Sequence, residues 1–223
     1  MKRGSDVLIA ALVLLCSAPA VLIAMFAVRV TLGAPVLFRQ ARPGRFGLPF
    51  NIYKLRTMSN TLSGDGALLP DAQRLTKVGR MLRRTSLDEL PQLYNVLRGD
   101  MSLVGPRPLL MKYLPLYSAE QARRHDVRPG LTGWAQIHGR NAIGWPERLA
   151  LDVWYVDHQS FALDCCIIWQ TIWRVVAMRG VSSSAHATMP EFCGEQPEFG
   201  GEQPEFRGEQ PADATNASPV QQT

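Results

Sequence analysis

The longest apolar stretch lies near the N-terminus, where residues 7–28 contain no charged side chain. As a helix, such a run is long enough to span a bilayer. Lys2 and Arg3 precede it and more arginines follow it, so both flanks are basic. Three interpretations stay open: a cleaved signal peptide, a transmembrane anchor, and a helix that bends and returns to the same face. Pro19 favours the bend by removing one backbone donor, and Ser17 offers a hydroxyl to a freed carbonyl.

Two strand-like runs follow, at 36–40 and 50–57, on either side of a turn rich in Pro and Gly. This pattern predicts a β-hairpin. After a polar loop over 59–72, the periodicity of apolar residues predicts helices. They are a basic amphipathic helix over 72–84 and short helices over 113–125 and 146–158. Together these elements predict an α+β fold that is mainly helical.

An apolar helix is predicted after Ser160, with Trp169 and Trp173 one turn apart. Arg174 and Arg179 stand near its end. A helix of this composition belongs either in a protein core or at the headgroup level of a membrane, where Trp and Arg are both favoured. The sequence alone leaves both interpretations open.

The C-terminal part is a repeat, in which EFCGEQP, EFGGEQP and EFRGEQP recur every seven residues from Glu191 to Pro211. Each unit contains a proline and a glycine, which excludes a coiled-coil heptad. We therefore predict that residues 184–223 form a disordered acidic tail with little bearing on catalysis.

The charge is unevenly distributed between this tail and the rest of the chain. The net charge is +5, but residues 186–223 carry seven acidic side chains and one basic side chain, so the remainder carries about +11. A basic body favours anionic partners: nucleic acid, phosphorylated small molecules or an anionic membrane surface. The cysteines show neither a CxxC pair nor zinc spacing, which predicts buried free thiols in a reducing cytosol. They are Cys16, Cys165, Cys166 and Cys193.

Two adjacent carboxylates, Asp88 and Glu89, mark the first candidate for chemistry. Ser86 and Glu89 match a capping box at a helix start. Pro91 fits a helix that is capped at Asp88 better, because its missing donor then costs nothing. In both cases Asp88 lies at a helix N-terminus, and we expect the partial positive charge there to keep its carboxylate ionised.

Arg107 stands between two prolines in GPRP (105–108), a stiff extended segment. A guanidinium fork suits phosphate oxygens. Two acids together with substrate phosphates make a plausible magnesium site. The residues by themselves leave two interpretations of this region: a phosphate-handling centre, or helix capping with surface ion pairs.

Several motifs in chain order resemble one known family over about residues 2–182. They include KR…D at 2–6, the proline-containing membrane helix, PVLFRQARPG, FNIYKLRTM, RLTKVGRMLRRTSLDELPQLYNVLRGDMSLVGPRPLL, RHDVRPGLTGWAQIHGRNAI and FALD. The sequence resembles the bacterial sugar transferase family, the monotopic phosphoglycosyl transferases, in its small single-domain form. The resemblance implies three parts: a re-entrant helix-break-helix over 1–30, a catalytic domain over 31–183, and the tail over 184–223. It also implies amphipathic interfacial helices around an active site on the cytosolic face.

The resemblance implies an activity: transfer of a sugar 1-phosphate from a UDP-sugar to polyprenyl (undecaprenyl) phosphate, giving UMP. In that family the residue matching Asp88 is the nucleophile, magnesium binds at the positions of Asp88 and Glu89, and the residue matching Arg107 binds phosphate. The residue matching Asp164 helps the polyprenyl phosphate react. For Asp164, an acid in the first turn of the last helix is the alternative interpretation. Arg140 and Asp152 are further candidates for binding substrate.

The resemblance also implies a place in the cell, the inner membrane of a bacterium with the catalytic domain on the cytosolic face. The family's helix bends at a Ser-Pro pair, where this chain has Ala18-Pro19 with Ser17 one residue earlier. The implied partners are the lipid bilayer and downstream glycosyltransferases, with no nucleic acid. Two competing functions are a scaffold that has lost turnover and a metal-dependent hydrolase of nucleotide sugars.

Overall fold

The computed structural model describes residues 2–139, 143–177 and 191–194, and these form a mainly helical α+β fold. The helices are α1 (Lys2–Leu32), α2 (Asp71–Arg74), α3 (Lys77–Thr85), α4 (Leu93–Arg98), α5 (Ala119–Ala122), α6 (Trp134–His138), α7 (Trp145–His158) and α8 (Phe161–Val176). The strands are β1 (Leu37–Pro43), β2 (Pro49–Leu55), β3 (Ser102–Val104) and β4 (Gly130–Thr132). Short 3-10 turns lie at Arg45–Gly47, Leu87–Gln92, Met111–Leu116 and Arg123–His125.

Helix α1 runs without interruption from Lys2 to Leu32, so its secondary structure differs from the predicted helix-break-helix. Pro19 lies inside the helix and removes only one donor, the one that would bond the carbonyl four residues earlier. The Ser17 hydroxyl donates to the Leu14 carbonyl at 3.4 Å. The helical hydrogen bonding on either side of Pro19 therefore persists. The re-entrant course of this helix stays a prediction.

Both ends of α1 pack on the same body of the protein. Ala10 belongs to the main core with residues of α4 such as Val96. Ala24 and Val28, near the other end, pack with Leu55 and Leu82 in a second core cluster. Between these ends the apolar side chains point outward. The exposed ones include Leu12, Leu15, Leu22 and Ile23, of which Leu15 is 74% exposed. α1 is the one helix among the described residues that is long and apolar enough to cross a membrane.

The predicted hairpin is confirmed, because β1 and β2 pair antiparallel with Leu37 opposite Leu55 and Pro43 opposite Pro49. A second, smaller sheet pairs β3 and β4 in parallel. It brings the segment after the acid pair beside the loop that precedes α6. The predicted helix over 146–158 is also confirmed, as α7.

Two other helix predictions are only partly right. The amphipathic helix over 72–84 is divided in the structure into α2 and α3, because Thr76 caps a new helix by accepting from the Gly79 amide. Over 113–125 the chain forms a 3-10 turn, the short helix α5 and a second 3-10 turn. Pro115 lies inside the first of these turns, where its missing amide donor prevents a longer helix.

One prediction made from composition is corrected, and a second concerns residues that the structure describes only in small part. All four cysteines are free, as expected, but all are exposed rather than buried. Cys165 and Cys166 lie on α8, whose outer side also carries the exposed Trp169 and Trp173. Most of the predicted disordered tail lies outside the described residues. Its described part, Glu191–Gly194, packs on the body through Phe192, which is 5% exposed.

Candidate active site

Asp88 and Glu89 lie in the first turn of the 3-10 helix Leu87–Gln92, which leads directly into α4. Ser86 ends α3 in the left-handed conformation, with φ of 56°, and its side chain makes no capping hydrogen bond. The predicted capping box is therefore wrong, because the left-handed turn at Ser86 directs the hydroxyl away from the amides that follow. The Glu89 amide still donates to the Ser86 carbonyl at 3.2 Å.

Glu89 is the centre of an ion-pair cluster. Its Oε1 accepts from Lys54 Nζ at 2.8 Å and from Arg107 at 2.5 Å. A second, longer bond joins Arg107 to Oε2 at 3.4 Å. Burial opposes ionisation of Glu89, but the two cations hold its pKa well below its usual range. Glu89 is therefore an anion at neutral pH, and it fixes the side chains of Lys54 and Arg107.

Asp88 has a different environment, although it is the adjacent residue. It is 7% exposed, and no ion pair to its carboxylate occurs among the described parts of the chain. Burial, and then the negative charge of Glu89, raise its pKa to about 6 against the opposing effects of Lys54, Arg83 and Arg107. The pKa of Asp88 is thus raised, although a helix N-terminus by itself would lower it, because burial and the adjacent Glu89 charge are the larger effects. With a pKa of about 6, most of this carboxylate is still ionised at pH 7.

The segment that carries Arg107 is anchored at two carbonyl groups. The Val104 carbonyl accepts from Lys2 Nζ and from the Tyr155 hydroxyl, both at 3.1 Å. The Arg107 carbonyl accepts from Arg124 at 2.8 Å. In the same segment Gly105 touches the backbone of the loop before β4 so closely that a Cβ would lie 2.4 Å from the Arg128 carbonyl oxygen. The position of the Arg107 side chain therefore depends on backbone contacts from several distant elements.

Asp152, a predicted substrate ligand, forms a buried ion pair with Arg124 at 2.7 Å. Their side chains are 3% and 1% exposed, respectively. Since Arg124 also bonds the Arg107 carbonyl, Asp152 contributes to the position of Arg107 through this contact. The structure does not place its carboxylate beside Asp88 or Glu89. Arg140, the other predicted substrate ligand, lies outside the described residues.

Asp164 lies in a third cluster. Its carboxylate accepts from Lys2 Nζ at 2.5 Å and from the Tyr155 hydroxyl at 2.6 Å. Burial, and then the bond to Asp164, raise the pKa of Tyr155 beyond its usual range. Asp164 is in the first turn of α8, as the alternative interpretation predicted, and its partner Lys2 begins α1. The cluster thus joins the two apolar helices at their N-terminal ends.

Several residues of these clusters were not predicted as site residues: Lys2, Lys54, Arg124 and Tyr155. Lys2 and Asp164 are 162 positions apart, and no local pattern connects them. Lys54 was visible only as one of several basic residues in the hairpin. Arg42, from the same hairpin, lies close enough to Arg107 that burial and this second guanidinium lower its pKa to about 10. The described residues contain no group of three His, Cys, Asp or Glu side chains able to hold a metal ion by themselves.

Comparison with known proteins identifies the family to which these motifs belong. A family model described as "Bacterial sugar transferase" matches residues 1–178. The uncharacterized sugar transferase EpsL of Bacillus subtilis is 53% identical over 194 residues, which are 87% of this chain and 96% of that protein.

Two relatives have more specific names. The UDP-glucose:undecaprenyl-phosphate glucose-1-phosphate transferase of Caulobacter vibrioides is 46% identical, over 77% of this chain and 68% of that protein. The UDP-N-acetylgalactosamine-undecaprenyl-phosphate N-acetylgalactosaminephosphotransferase of Aeromonas hydrophila is 37% identical, over 77% of this chain and 43% of that protein. The family match covers every described element from α1 to α8, including all three clusters around the predicted site residues. The chain therefore belongs to the bacterial sugar transferase family.

Proposed function

We propose that this protein is a phosphoglycosyl transferase that moves a sugar 1-phosphate from a UDP-sugar to undecaprenyl phosphate. The products would be UMP and a polyprenyl diphosphate sugar, the first membrane-bound intermediate of a polysaccharide or glycoconjugate. The names of the relatives support this reaction class. The observation that carries the proposal is Asp88, a buried carboxylate that has no ion pair with any described residue and lies beside a cluster that holds two cations.

Asp88 is the proposed nucleophile. One of its carboxylate oxygens attacks the phosphorus that bears the sugar, and the bond from that phosphorus to the UMP oxygen breaks. UMP leaves with the bonding electrons, and the sugar phosphate remains on Asp88 as an acyl phosphate. An oxygen of undecaprenyl phosphate then attacks the same phosphorus, which releases the Asp88 carboxylate. Division of one transfer between two large substrates into two transfers at one site is the advantage of covalent catalysis.

The pKa of Asp88 suits this role. A buried carboxylate that lacks a cation partner is more basic and less stabilised than a paired one, so it is a better nucleophile once ionised. Its pKa of about 6 leaves it mainly ionised at neutral pH. Glu89 is the paired carboxylate, and we propose that it positions Lys54 and Arg107 beside the attacking group.

We propose that Arg107 and Lys54 bind the diphosphate of the UDP-sugar. Arg107 is 37% exposed and Lys54 21%, so both reach the protein surface although they pair with Glu89. Phosphate oxygens fit the guanidinium fork that Arg107 presents to Glu89. Arg42 adds a third positive charge near Arg107. These positive charges stabilise an anion that binds here.

The residues present also fit a magnesium ion. Magnesium in such sites takes one or two protein carboxylates together with substrate phosphates and water. Among the described residues, Asp88 has no ion-pair partner and Glu89 Oε2 has only the long 3.4 Å bond to Arg107, so each offers an oxygen. When bound, the ion would neutralise the diphosphate charge that otherwise repels an attacking carboxylate. We propose Asp88 and Glu89 as its protein ligands.

Asp164 is the residue that we propose for the second transfer, in which undecaprenyl phosphate reacts. Because Lys2 and Tyr155 both bind its carboxylate, we propose that it acts by positioning the N-terminal end of α1 and not by direct proton transfer. α1 is the element that enters the membrane in this proposal, so its position governs the approach of a lipid substrate.

We propose that α1 is re-entrant in the inner membrane and that the catalytic domain faces the cytosol. Two observations support this topology. The two ends of α1 pack on one body, whereas the ends of a spanning helix lie on opposite sides of the bilayer. The outer side of α8 presents Phe161, Trp169 and Trp173, each more than 60% exposed, as an interfacial helix does.

The topology is tested by labelling single cysteines, placed at Gly4 and Asn60 in a background without the four native cysteines. We expect an impermeant reagent added to intact cells to label neither position, and both to react after the inner membrane is opened. Labels on opposite sides of the membrane would contradict the re-entrant proposal.

The reaction is tested by UMP release from purified protein with undecaprenyl phosphate and a panel of UDP-sugars that includes UDP-glucose and UDP-N-acetylgalactosamine. We expect multiple turnovers with at least one sugar, and at most one equivalent of UMP when undecaprenyl phosphate is omitted. Repeated turnover without the lipid would instead indicate a nucleotide-sugar hydrolase. Absence of UMP with every sugar would favour a scaffold without turnover.

A further inference from the structure

The first unit of the C-terminal repeat is bound in a pocket on the catalytic body. Phe192 is 5% exposed and belongs to a core cluster that is separate from the two clusters that contact α1. The pocket is lined by Leu109, Leu110, Tyr113, Tyr117, Trp145 and Leu149. A residue of an acidic, proline-containing repeat is thus enclosed by the segment that follows GPRP and by the start of α7.

The contacts of Phe192 are mainly aromatic. Its ring centroid lies 5.7 Å from that of Tyr113, 5.6 Å from that of Tyr117 and 5.3 Å from that of Trp145. The Tyr113 ring is edge-on and the Tyr117 ring is stacked, which are both favourable arrangements for aromatic pairs. The preceding residue, Glu191, pairs with Lys112 Nζ at 2.6 Å. The pocket therefore encloses the Phe192 ring, and the acidic residue before it forms an ion pair at the surface.

The first four positions of each seven-residue repeat can be compared with the bound segment Glu191–Gly194. The unit reads Glu-Phe-x-Gly in all three copies, and x is Cys193, Gly200 or Arg207. The Cys193 side chain is exposed, so the pocket places no demand on the variable position. Gly194 has φ of +84°, a conformation that favours glycine, and the same position is glycine in the other copies. Within the four described positions, the three that are invariant make contacts or adopt the left-handed conformation, and the variable one faces solvent.

From this correspondence we infer that Glu-Phe-x-Gly is a docking motif for the aromatic pocket, and that the three copies of one chain compete for it. Phe199 and Phe206 are alternative occupants in this proposal, each preceded by glutamate and followed two residues later by glycine. Because all copies are tethered to the same domain, each is present at a high effective concentration. Three copies keep the pocket filled more of the time than one copy does.

The pocket is connected to the phosphate-handling cluster. Tyr117, which stacks on Phe192, accepts from Arg124 at 3.4 Å, and Arg124 donates to the Arg107 carbonyl at 2.8 Å. Trp145 also contacts the guanidinium of Arg148 at 5.5 Å from its ring centroid. An occupied pocket therefore supports Tyr117, which contacts the Arg124 side chain that donates to the Arg107 carbonyl.

Hydrogen–deuterium exchange of the full-length protein in detergent tests the proposal. The reporter is the peptide over 109–117, whose Tyr113 amide bonds the Leu110 carbonyl at 3.0 Å. We expect the triple variant Phe192→Ala, Phe199→Ala, Phe206→Ala to exchange there ~tenfold faster, since no copy fills the pocket. Phe192→Ala alone should accelerate exchange only about 1.5-fold, because two of three equivalent copies remain.

A matched control changes the same repeats at the variable position: Cys193→Ala, Gly200→Ala and Arg207→Ala together. This variant should exchange like the parent protein, and exchange in β2 should be equal in all variants, which shows that the fold is kept. Unchanged exchange over 109–117 in the triple phenylalanine variant would remove the docking proposal. The full acceleration in Phe192→Ala alone would remove competition among the copies.

Discussion

Asp88 and Asp164 are buried to a similar extent, but their surroundings differ. Asp164 is 6% exposed and receives a lysine at 2.5 Å and a tyrosine hydroxyl at 2.6 Å. Asp88 is 7% exposed and has no ion pair in the described chain, because the nearest cations pair with Glu89. Burial, and then the charge of Glu89, raise the pKa of Asp88 to about 6, because the nearby cations compensate only in part. One carboxylate is stabilised by its contacts, and the other retains the reactivity of an unpaired anion.

The difference shows how two acids with similar burial can be assigned different roles. A compensated carboxylate contributes to the fold, and its loss leaves a cation without its partner. An uncompensated carboxylate destabilises the folded state when ionised and is retained where chemistry requires it. Glu89 produces this contrast, since Lys54 and Arg107 both pair with Glu89 and neither forms an ion pair with Asp88. The predictions below test the contrast.

The largest expected effect is that of Asp88→Asn. Removal of the proposed nucleophile should lower UMP release by ~10³-fold or more, including the first equivalent released without lipid. Thermal stability at pH 7 should stay equal or rise, because the folded pKa of about 6 lies above the ordinary aspartate value of 3.8 and the ionised form therefore costs stability. The measurements are a burst assay for UMP and a melting curve in the same detergent. Normal release by this variant would remove Asp88 as the nucleophile.

The next effect is the pH dependence of the unmodified protein. The rate of the first UMP release should fall about tenfold between pH 7 and pH 5, with a midpoint near the Asp88 pKa of about 6, since only the ionised carboxylate attacks. Glu89, whose pKa its cations hold low, stays ionised over this range. His125 stays neutral, because burial lowers its pKa to about 4. A flat profile between pH 5 and pH 7 would contradict the assignment of an uncompensated nucleophile.

The sequence predicted the central residues of the site better than the partners that surround them. The residues Asp88, Glu89 and Arg107 lie within 20 positions of one another in a recognisable motif, so the centre of the site could be found. The charged partners that set the pKa values could not be found from the sequence. Lys54 is 35 positions from Glu89, and Lys2 is 162 positions from Asp164, distances at which no periodic pattern connects residues.

Local structure was also predictable only in part. The hairpin and α7 follow from alternation and from helical periodicity, and both are present. The capping box failed because Ser86 turns into the left-handed conformation and the acid pair enters a 3-10 turn. Such a turn depends on packing against β2 and α3, which a sequence window does not contain. The aromatic pocket for Phe192 was missed for the same reason.

Glu89→Gln tests whether Glu89 raises the pKa of Asp88. Loss of its charge removes the repulsion between two carboxylates and frees Lys54 and Arg107 to stabilise ionised Asp88, so the midpoint of the pH profile should move to lower pH by about one unit. Glu89→Asp is the matched control, because it keeps the negative charge and should keep the midpoint close to that of the parent protein. The pH dependence of the first UMP release is the measurement. An unchanged midpoint in Glu89→Gln would show that burial alone sets the Asp88 pKa.

Asp164→Asn is expected to have the smallest effect on the first transfer and a moderate effect on stability. The amide keeps the shape of the carboxylate but leaves the Lys2 ammonium without an opposite charge, which should cost about 1–3 kcal/mol and lower the melting temperature by several degrees. Tyr155→Phe removes the neutral hydroxyl that bonds Asp164 and the Val104 carbonyl but leaves the Lys2–Asp164 ion pair, so it should cost less, about 1 kcal/mol. In both variants the first equivalent of UMP should appear at nearly the parent rate, with the same pH midpoint. If Asp164→Asn slowed that first release as strongly as Asp88→Asn does, the two carboxylates would share one function and the contrast between them would not hold.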